Sequence, residues 1–270
     1  MSFADMIKDV AIPETAGRQN DDLPRIWWHN GVRQAKTGGS FYTKQAEFAG
    51  GLDAPWAQDE RFEGEVGYST VELKIAVLSY RTQPFVQQEK LPGEKFARKQ
   101  FLTRWEPGAK LYTEVLCFIA GFREPVVWCS DGLTGKAVSS KTGILKTYEG
   151  GLLSQAEGIA GQQMPLWSFW LPIATKRTAD GKIAYEDTGF GSFVTPPALL
   201  LPKDALDTLF VGPELLERGA RIMRQHARWA QQKRLPENTI EAEYTVTATP
   251  ALPAPRNVPQ AVTDADFSEY

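Results

Sequence analysis

The stretch "VELKIAVLSYR", residues 71–81, carries the clearest strand pattern in the chain. Side chains of a β-strand point alternately to opposite faces, so residues two apart share a face. In this stretch the period places Leu73, Ile75 and Val77 together on one side and Tyr80 on the other. The pattern predicts a β-strand, and the neighbouring sequence extends the prediction to a sheet.

Other stretches of the chain have strand or hairpin character as well. The strongest are "KLYTEVLCFIAGF" (110–122) and "PVVWCSDG" (125–132), the latter ending in an Asp-Gly turn signal. The stretch "RIWWHNGV" (25–32) predicts a short strand that leads into a hairpin around Gly38 and Gly39. Residues 165–197 predict a second hairpin, which turns at Ala-Asp-Gly.

Helical signals are fewer. Residues 212–235 begin with Gly-Pro-Glu, carry apolar side chains at helical spacing and precede Pro236, so they predict one helix. Residues 135–158 predict a helical or mixed connection. These elements together predict a mainly β, α+β chain built as an elaborated oligonucleotide-binding-type barrel with one C-terminal helix. A twisted α+β sheet is the open alternative.

The chain divides by composition and charge. We expect a flexible arm over residues 1–24, one domain over 25–240 and a disordered, Pro-rich acidic tail over 241–270. The net charge is -3, yet residues 95–146 contain nine Lys and Arg against four acids. The last thirty residues contain five acids and one arginine. A basic middle and an acidic end are typical of nucleic-acid binders with an acidic tail.

Motifs for catalysis and for cofactors are weak. Cys117 and Cys129 lack the spacing of a zinc site, and no GxSxG elbow is present. The stretch "GLTGKAVSS" (132–140) misses the phosphate-loop pattern because Ala137 follows Lys136. We therefore predict no catalytic residue, no metal ligand and no cofactor.

One catalytic alternative stays open. Paired carboxylates near a lysine can serve a metal-dependent nuclease or another nucleic-acid hydrolase. Glu114, Glu124 and Asp131, with Lys136 nearby, offer such a set.

Aromatic side chains interleaved with cations recur along the chain. Binding sites for single-stranded nucleic acid combine these residue types, because cations contact the phosphates while aromatic rings stack on unpaired bases. Strand alternation predicts that one of Trp27 and Trp28 is buried and the other exposed, and that Lys99 and Phe101 share a face. The predicted nucleic-acid contacts are Arg25, Trp28, Lys36, Tyr42, Lys44, Tyr80, Arg81, Arg98, Lys99, Phe101, Arg104, Trp105, Lys136 and Lys141.

The chain ends in "TDADFSEY" (263–270), after the Pro- and Ala-rich stretch 247–262. This layout resembles the single-stranded DNA-binding proteins of bacteria and tailed phages. The resemblance implies an oligonucleotide-binding barrel, base stacking on aromatics and a tip that recruits replication and repair enzymes. The tip differs from the bacterial form, which is more densely acidic and ends in Pro-Phe. The residues that match its character are Asp264, Asp266, Phe267, Glu269 and Tyr270.

The function expected from these observations is non-catalytic, sequence-tolerant binding of single-stranded DNA, with RNA as an open alternative. We expect a role in replication, recombination or repair, in a bacterial or phage-infected cytoplasm, with partner proteins bound through the tail. No signal peptide or membrane span is expected. A structural or virion interaction protein is a further alternative, and the oligomeric state is left open.

Overall fold

The computed structural model describes residues 23–44, 56–59, 67–89, 97–189 and 191–231. The arm and the acidic tail predicted from sequence therefore lie almost wholly outside the described residues. The strands within the described part are β1 Arg25–His29, β2 Ser40–Thr43, β3 Ala57–Asp59, β4 Gly67–Thr70, β5 Glu72–Gln87, β6 Lys99–Phe101, β7 Lys110–Ile119, β8 Val126–Asp131, β9 Leu171–Thr175, β10 Glu186–Asp187, β11 Phe193–Val194 and β12 Pro197–Leu199.

Short helices connect and cover these strands. The α-helices are α1 Gly132–Ser139, α2 Ile144–Tyr148, α3 Ser154–Ala160, α4 Ala205–Thr208 and α5 Pro213–Gln225. A π-helical turn, Glu149–Leu153, joins α2 to α3, and 3-10 turns form at Leu166–Ser168 and Trp229–Gln231. Among the described residues, no helix is both long and apolar enough to cross a membrane.

One large sheet organises the chain. Its strands follow the order β12-β9-β5-β7-β8-β1-β2-β4-β3, and β6 pairs with the far end of β5. Every neighbouring pair is antiparallel except β1 and β8, which are parallel. The predicted mainly β class with few helices is confirmed, and the described strands form an open path with a separate β10-β11 pair.

The predicted strands and the first predicted hairpin are present. The second, over 165–197, is present in part: β9 pairs with β12, but the aromatic-rich start of the predicted hairpin forms the 3-10 turn Leu166–Ser168. The stretch 71–81 forms the first part of β5, which pairs with β7 over ten residue pairs. β1 and β2 form the hairpin around Gly38 and Gly39. An antiparallel bridge between Arg177 and Ile183 closes the Ala-Asp-Gly turn.

Both faces of the sheet are buried. On the face that we call the α1 face, Ile75, Val115 and Trp128 pack with side chains of the α1–α3 segment such as Leu145 and Tyr148.

On the opposite face, the α5 face, Leu78, Leu116 and Cys129 pack with Leu216 and Ala220 of α5. A sheet covered on both sides leaves strand side chains exposed mainly at its ends and edges.

A β-bulge in β5 corrects the period-two prediction. The register to β7 shifts between Val77 and Ser79, so Leu78 is an extra residue in the ladder. An extra residue reverses the alternation beyond it. Tyr80 consequently packs on the α1 face with Ile75 and Val77, although the uninterrupted period placed it on the other side.

The C-terminal helix is shorter than the predicted 212–235. Helix α5 ends at Gln225, and the backbone leaves helical geometry at His226 (φ -113°, ψ 26°). The 3-10 turn that follows buries Trp229, whose ring lies 4.4 Å from the guanidinium carbon of Arg81. Residues 232–235 lie outside the described part of the chain.

The parallel pair β1 and β8 sets the position of the candidate functional site. Parallel strands end at the same edge of a sheet, and α1 begins directly after β8. The helix lies close to the strands, because a Cβ atom at Gly135 would be 2.6 Å from the Leu111 carbonyl oxygen. Glycine at this position therefore lets α1 start at the carboxyl end of β8.

Candidate functional site

A cleft of about 770 Å³ opens at the carboxyl ends of β1 and β8. Crevices at this end of parallel strands are the usual ligand sites of sheets that carry helices. The ends of β1 and β8 and the start of α1 form the floor, and residues 31–34, 105, 109–111, 188 and 191–194 contribute the walls. Segments far apart in sequence thus meet around one concave surface.

Rings and cations line this cleft. Trp105 is 62% exposed at its rim, so a face of the indole is accessible to a ligand. The guanidinium carbon of Arg33 lies 4.4 Å from the centre of the Phe193 ring. Lys136 is exposed, and Lys110 Nζ donates a hydrogen bond of 2.8 Å to Gln87 Oε1. The cleft therefore offers three cationic groups beside an open aromatic face.

The negative charge at the cleft is neutralised locally. Among the described residues that line it, Asp131 alone has a carboxylate, and Lys99 Nζ lies 2.7 Å from Asp131 Oδ2. Lys99 is only 5% exposed, and its ammonium also lies 4.8 Å and 5.0 Å from the ring centres of Phe85 and Tyr112. The lining consequently has a net positive charge, which suits an anionic ligand.

The floor of the cleft contains buried polar groups. Ser130 Oγ and Asn30 Oδ1 have no hydrogen-bond partner within the described residues. His29 stacks on Tyr42 with ring centres 4.4 Å apart, while Trp28 Nε1 donates a 2.7 Å hydrogen bond to the Thr195 carbonyl oxygen. Since buried polar groups normally find partners, these two oxygens are available to a water or to a ligand atom in the cleft.

Three of the fourteen predicted contacts line the cleft: Trp28, Trp105 and Lys136. Trp28 is 7% exposed and packs edge-on to Phe41, so it forms floor rather than a stacking face. Its neighbour Trp27 lies on the opposite face, as the alternation predicts, but it is half-buried against the α5-face core and not exposed.

Three lining residues outside the predicted set are Arg33, Lys110 and Phe193. Their signals in the sequence are local. Arg33 directly follows the predicted strand 25–32, Lys110 begins the predicted strand 110–122, and Phe193 follows the Gly-rich loop 188–192. Nothing in these signals shows that the three segments meet.

Three predicted contacts are buried in the sheet, so their assignment as exposed stacking or phosphate groups is corrected. Tyr42, Phe101 and Lys99 all lie in the interior. Lys99 and Phe101 do share a face, as predicted, but that face is the α5 face, which other elements cover. Strand alternation correctly predicts that Lys99 and Phe101 share a face. Their burial follows from the helices and loops that cover that face, which the alternation does not predict.

Two predicted cations neutralise a buried carboxylate instead of facing the cleft. Glu114 is 2% exposed, and its Oε2 accepts a 2.5 Å hydrogen bond from Arg81 Nε. Arg25 Nη1 lies 3.3 Å from Glu114 Oε1. Arg81 also donates to the Trp229 carbonyl oxygen at 3.1 Å. Both guanidinium groups are thus engaged with Glu114, and both side chains are half-buried.

Tyr80 is held in a polar cluster on the α1 face. Its hydroxyl donates to Glu149 Oε1 at 2.7 Å and accepts from Lys146 Nζ at 2.9 Å. Burial raises the pKa of Tyr80, and the Glu149 carboxylate adds to this while Lys146 opposes it. The ring is therefore fixed in place and stays protonated at neutral pH.

The other predicted contacts lie elsewhere. Exposed side chains that do not line the cleft are Lys36, Lys44, Arg98, Arg104 and Lys141. The tail residues Asp264, Asp266, Phe267, Glu269 and Tyr270 lie outside the described residues.

The carboxylates of the nuclease alternative are separated. Glu124 precedes β8 and Asp131 ends it, and β8 alone spans about 17 Å at the rise of a strand. Glu114 is occupied by two arginines. In the part of the chain that the structure describes, no three His, Cys, Asp or Glu side chains group to hold a metal ion.

Comparison with known proteins adds no relative: no family model, no curated protein and no solved structure matches the chain.

Proposed function

We propose that the chain binds single-stranded DNA in the cleft at the carboxyl ends of β1 and β8, with little sequence preference. The observation that carries this proposal is the exposed indole of Trp105 beside a lining rich in cations. Stacking on a ring contributes about 1–3 kcal/mol per base and requires no particular base. RNA is an alternative ligand, since single-stranded RNA also presents unpaired bases and phosphates.

The described residues take distinct roles in this proposal. Trp105 stacks on a base at the rim, while Lys110, Lys136 and Arg33 contact phosphates. The Arg33–Phe193 pair presents a planar cation backed by a ring, a surface on which a second base can stack. Catalytic chemistry and a cofactor have no part in this function.

We propose the cellular role because the layout of the chain resembles that of the single-stranded DNA-binding proteins of bacteria and tailed phages. The protein would act in replication, recombination or repair of bacterial or phage DNA in the cytoplasm, and its acidic tail would recruit partner proteins. The oligonucleotide-binding-type barrel is likewise a proposal, because the described strands form an open path. Binding in the cleft depends on its lining and not on closure of a barrel.

Replacing Trp105 by Ala tests the stacking role. We expect about tenfold weaker binding of a labelled homopolymer oligonucleotide, measured by fluorescence anisotropy at low salt. The variant should also lose part of the tryptophan quenching that the unmodified protein shows on binding. Trp105→Phe is the matched control and should retain most of the affinity, because it keeps a ring. If Trp105→Ala binds as tightly as the unmodified protein, Trp105 is not the stacking residue.

The same titration separates the alternatives. If the anisotropy of the oligonucleotide does not change at low salt, the protein does not bind DNA. Stable oligomers of the protein that also leave the anisotropy unchanged would favour a structural role. Degradation of the oligonucleotide only with magnesium would favour the hydrolase alternative.

A further inference from the structure

The first turn of α1 opens into the cleft. Gly132, Leu133 and Thr134 line the cleft, and the preceding residue, Asp131, makes no side-chain capping hydrogen bond. The first N–H groups of a helix have no partner within the helix and carry a partial positive charge. Together they favour an anion such as a phosphate.

A buried hydroxyl at the same junction points to a ligand independently. Ser130 is 5% exposed and lines the cleft, yet its Oγ has no hydrogen-bond partner among the described residues. Residue alternation places it on the same side of β8 as Trp128, which is the face that α1 covers. A phosphate oxygen at the start of α1 would accept a hydrogen bond from this hydroxyl.

The carboxylate of Asp131 makes no capping hydrogen bond to the helix start. Asp131 follows Ser130 in β8, so its side chain leaves the opposite face of the strand. There Lys99 Nζ binds it at 2.7 Å. This ion pair neutralises the one carboxylate among the described residues that line the cleft, which would otherwise repel an anion.

Lys136 supplies a full positive charge. It lies in the second turn of α1, and its side chain lines the cleft together with the first residues of the helix. The strand, turn and helix that carry "SDGLTGK" (130–136) have the context of a phosphate loop. The shorter spacing, with Ala137 in place of a hydroxyl residue, fits one phosphate and not a triphosphate with its metal.

We propose that the β8–α1 junction is a phosphate subsite that takes one backbone phosphate of the bound strand. The Ser130 hydroxyl and the N–H groups of Gly132–Thr134 donate to the phosphate oxygens, and Lys136 neutralises the charge. This assignment rests on the proposed DNA-binding function for its ligand, whereas the anion site itself stands on the geometry.

Inorganic phosphate is the first probe, at constant ionic strength with chloride as the control anion. We expect amide resonances of Gly132–Thr134 to shift with phosphate in saturable fashion by two-dimensional NMR. Ser130→Ala should weaken phosphate binding about tenfold, since a hydrogen bond to a charged group is lost. Its melting temperature should stay the same or rise, because the hydroxyl has no protein partner. Exposed Ser154→Ala on α3 is the matched control.

Absence of a saturable shift at these amides would overturn the anion site. So would equal phosphate affinity of Ser130→Ala and the unmodified protein.

A second measurement assigns the phosphate to the strand. Short oligonucleotides with one neutral methylphosphonate linkage, moved along the sequence, are titrated against the full chain. The unmodified protein should lose affinity about tenfold for a linkage that aligns with the subsite, and Ser130→Ala should lose this sensitivity. If phosphate shifts the amides while no neutral linkage matters, the site takes a free phosphate and the strand assignment is wrong.

The two measurements keep the proposals distinct. A protein that binds no oligonucleotide but binds phosphate refutes the proposed function and keeps the anion site. A protein that binds DNA without using Ser130 keeps the function and refutes the subsite.

Discussion

Glu114 shows why charge near an aromatic is an incomplete guide to a binding surface. Arg25 and Arg81 stand beside aromatic residues in sequence, as DNA contacts do, but both bind this buried carboxylate. A buried carboxylate is stable only when cations and hydrogen bonds replace its water. The two arginines therefore serve the fold, and residues from three different strands meet at one charge.

Replacing Glu114 by Gln should lower the free energy of unfolding by about 3 kcal/mol, because two guanidinium groups lose their counter-charge. Chemical denaturation monitored by circular dichroism measures the change. Exposed Glu124, on the turn at the far end of the same hairpin, is the matched control. Glu124→Gln should stay within about 0.5 kcal/mol of the unmodified protein. Equal effects of the two substitutions would contradict this account of the buried cluster.

Among the elements, α1 links the sheet to the cleft. It packs on β7 and β8 through Gly135, and its first turn lines the floor of the cleft. A side chain at position 135 would contact the backbone carbonyl of Leu111 in β7, which cannot rotate away as a side chain could. The position of the helix start is therefore set by close packing against strands and not by the helix sequence alone.

Replacing Gly135 by Ala should destabilise the protein by about 1–3 kcal/mol, as overpacking does, and weaken oligonucleotide binding by displacing the start of α1. The control is Gly158→Ala on α3, where an added Cβ meets no atom within 4 Å. That change should stabilise the protein by about 0.5–1 kcal/mol and leave binding unchanged. Thermal unfolding and anisotropy on the same samples give both readings. Unchanged stability of Gly135→Ala would disprove the close approach of α1.

On the scale of the whole molecule, opposite charges are separated along the chain. Cations line the cleft, while the last thirty residues carry five acids and one arginine. An acidic segment tethered to the domain competes with a nucleic acid for a cationic surface, because both are anionic.

Deleting residues 263–270 should therefore tighten DNA binding or leave it unchanged. The matched full-length variant carries Asp264→Asn, Asp266→Asn and Glu269→Gln. If the charge of the tail and not its length weakens DNA binding, this variant should bind DNA as tightly as the deleted form. Anisotropy at low and high salt measures both, and the difference should shrink with salt. Markedly weaker binding by the deleted form would contradict competition.

The sequence by itself determined the local structure of this protein. Side-chain period and turn residues identified β5, β7, β8, the first hairpin and a C-terminal helix, because these depend on neighbours along the chain. The alternation of aromatics and cations also predicted Trp105, which is exposed at the rim of the cleft. The sequence pattern argued against a phosphate loop in "GLTGKAVSS", and only the strand, turn and helix around it place Lys136 at the cleft.

Tertiary structure alone decided which of these residues face solvent and which face one another. The bulge at Leu78 moved the side chain of Tyr80 to the other face of the sheet. Elements that cover both faces of the sheet buried Lys99. The parallel pairing of β1 with β8, about a hundred residues apart, created the cleft. The physical reason is that pairing and coverage are set by contacts between distant segments, whose free energy is shared by the whole sheet and is absent from any single stretch.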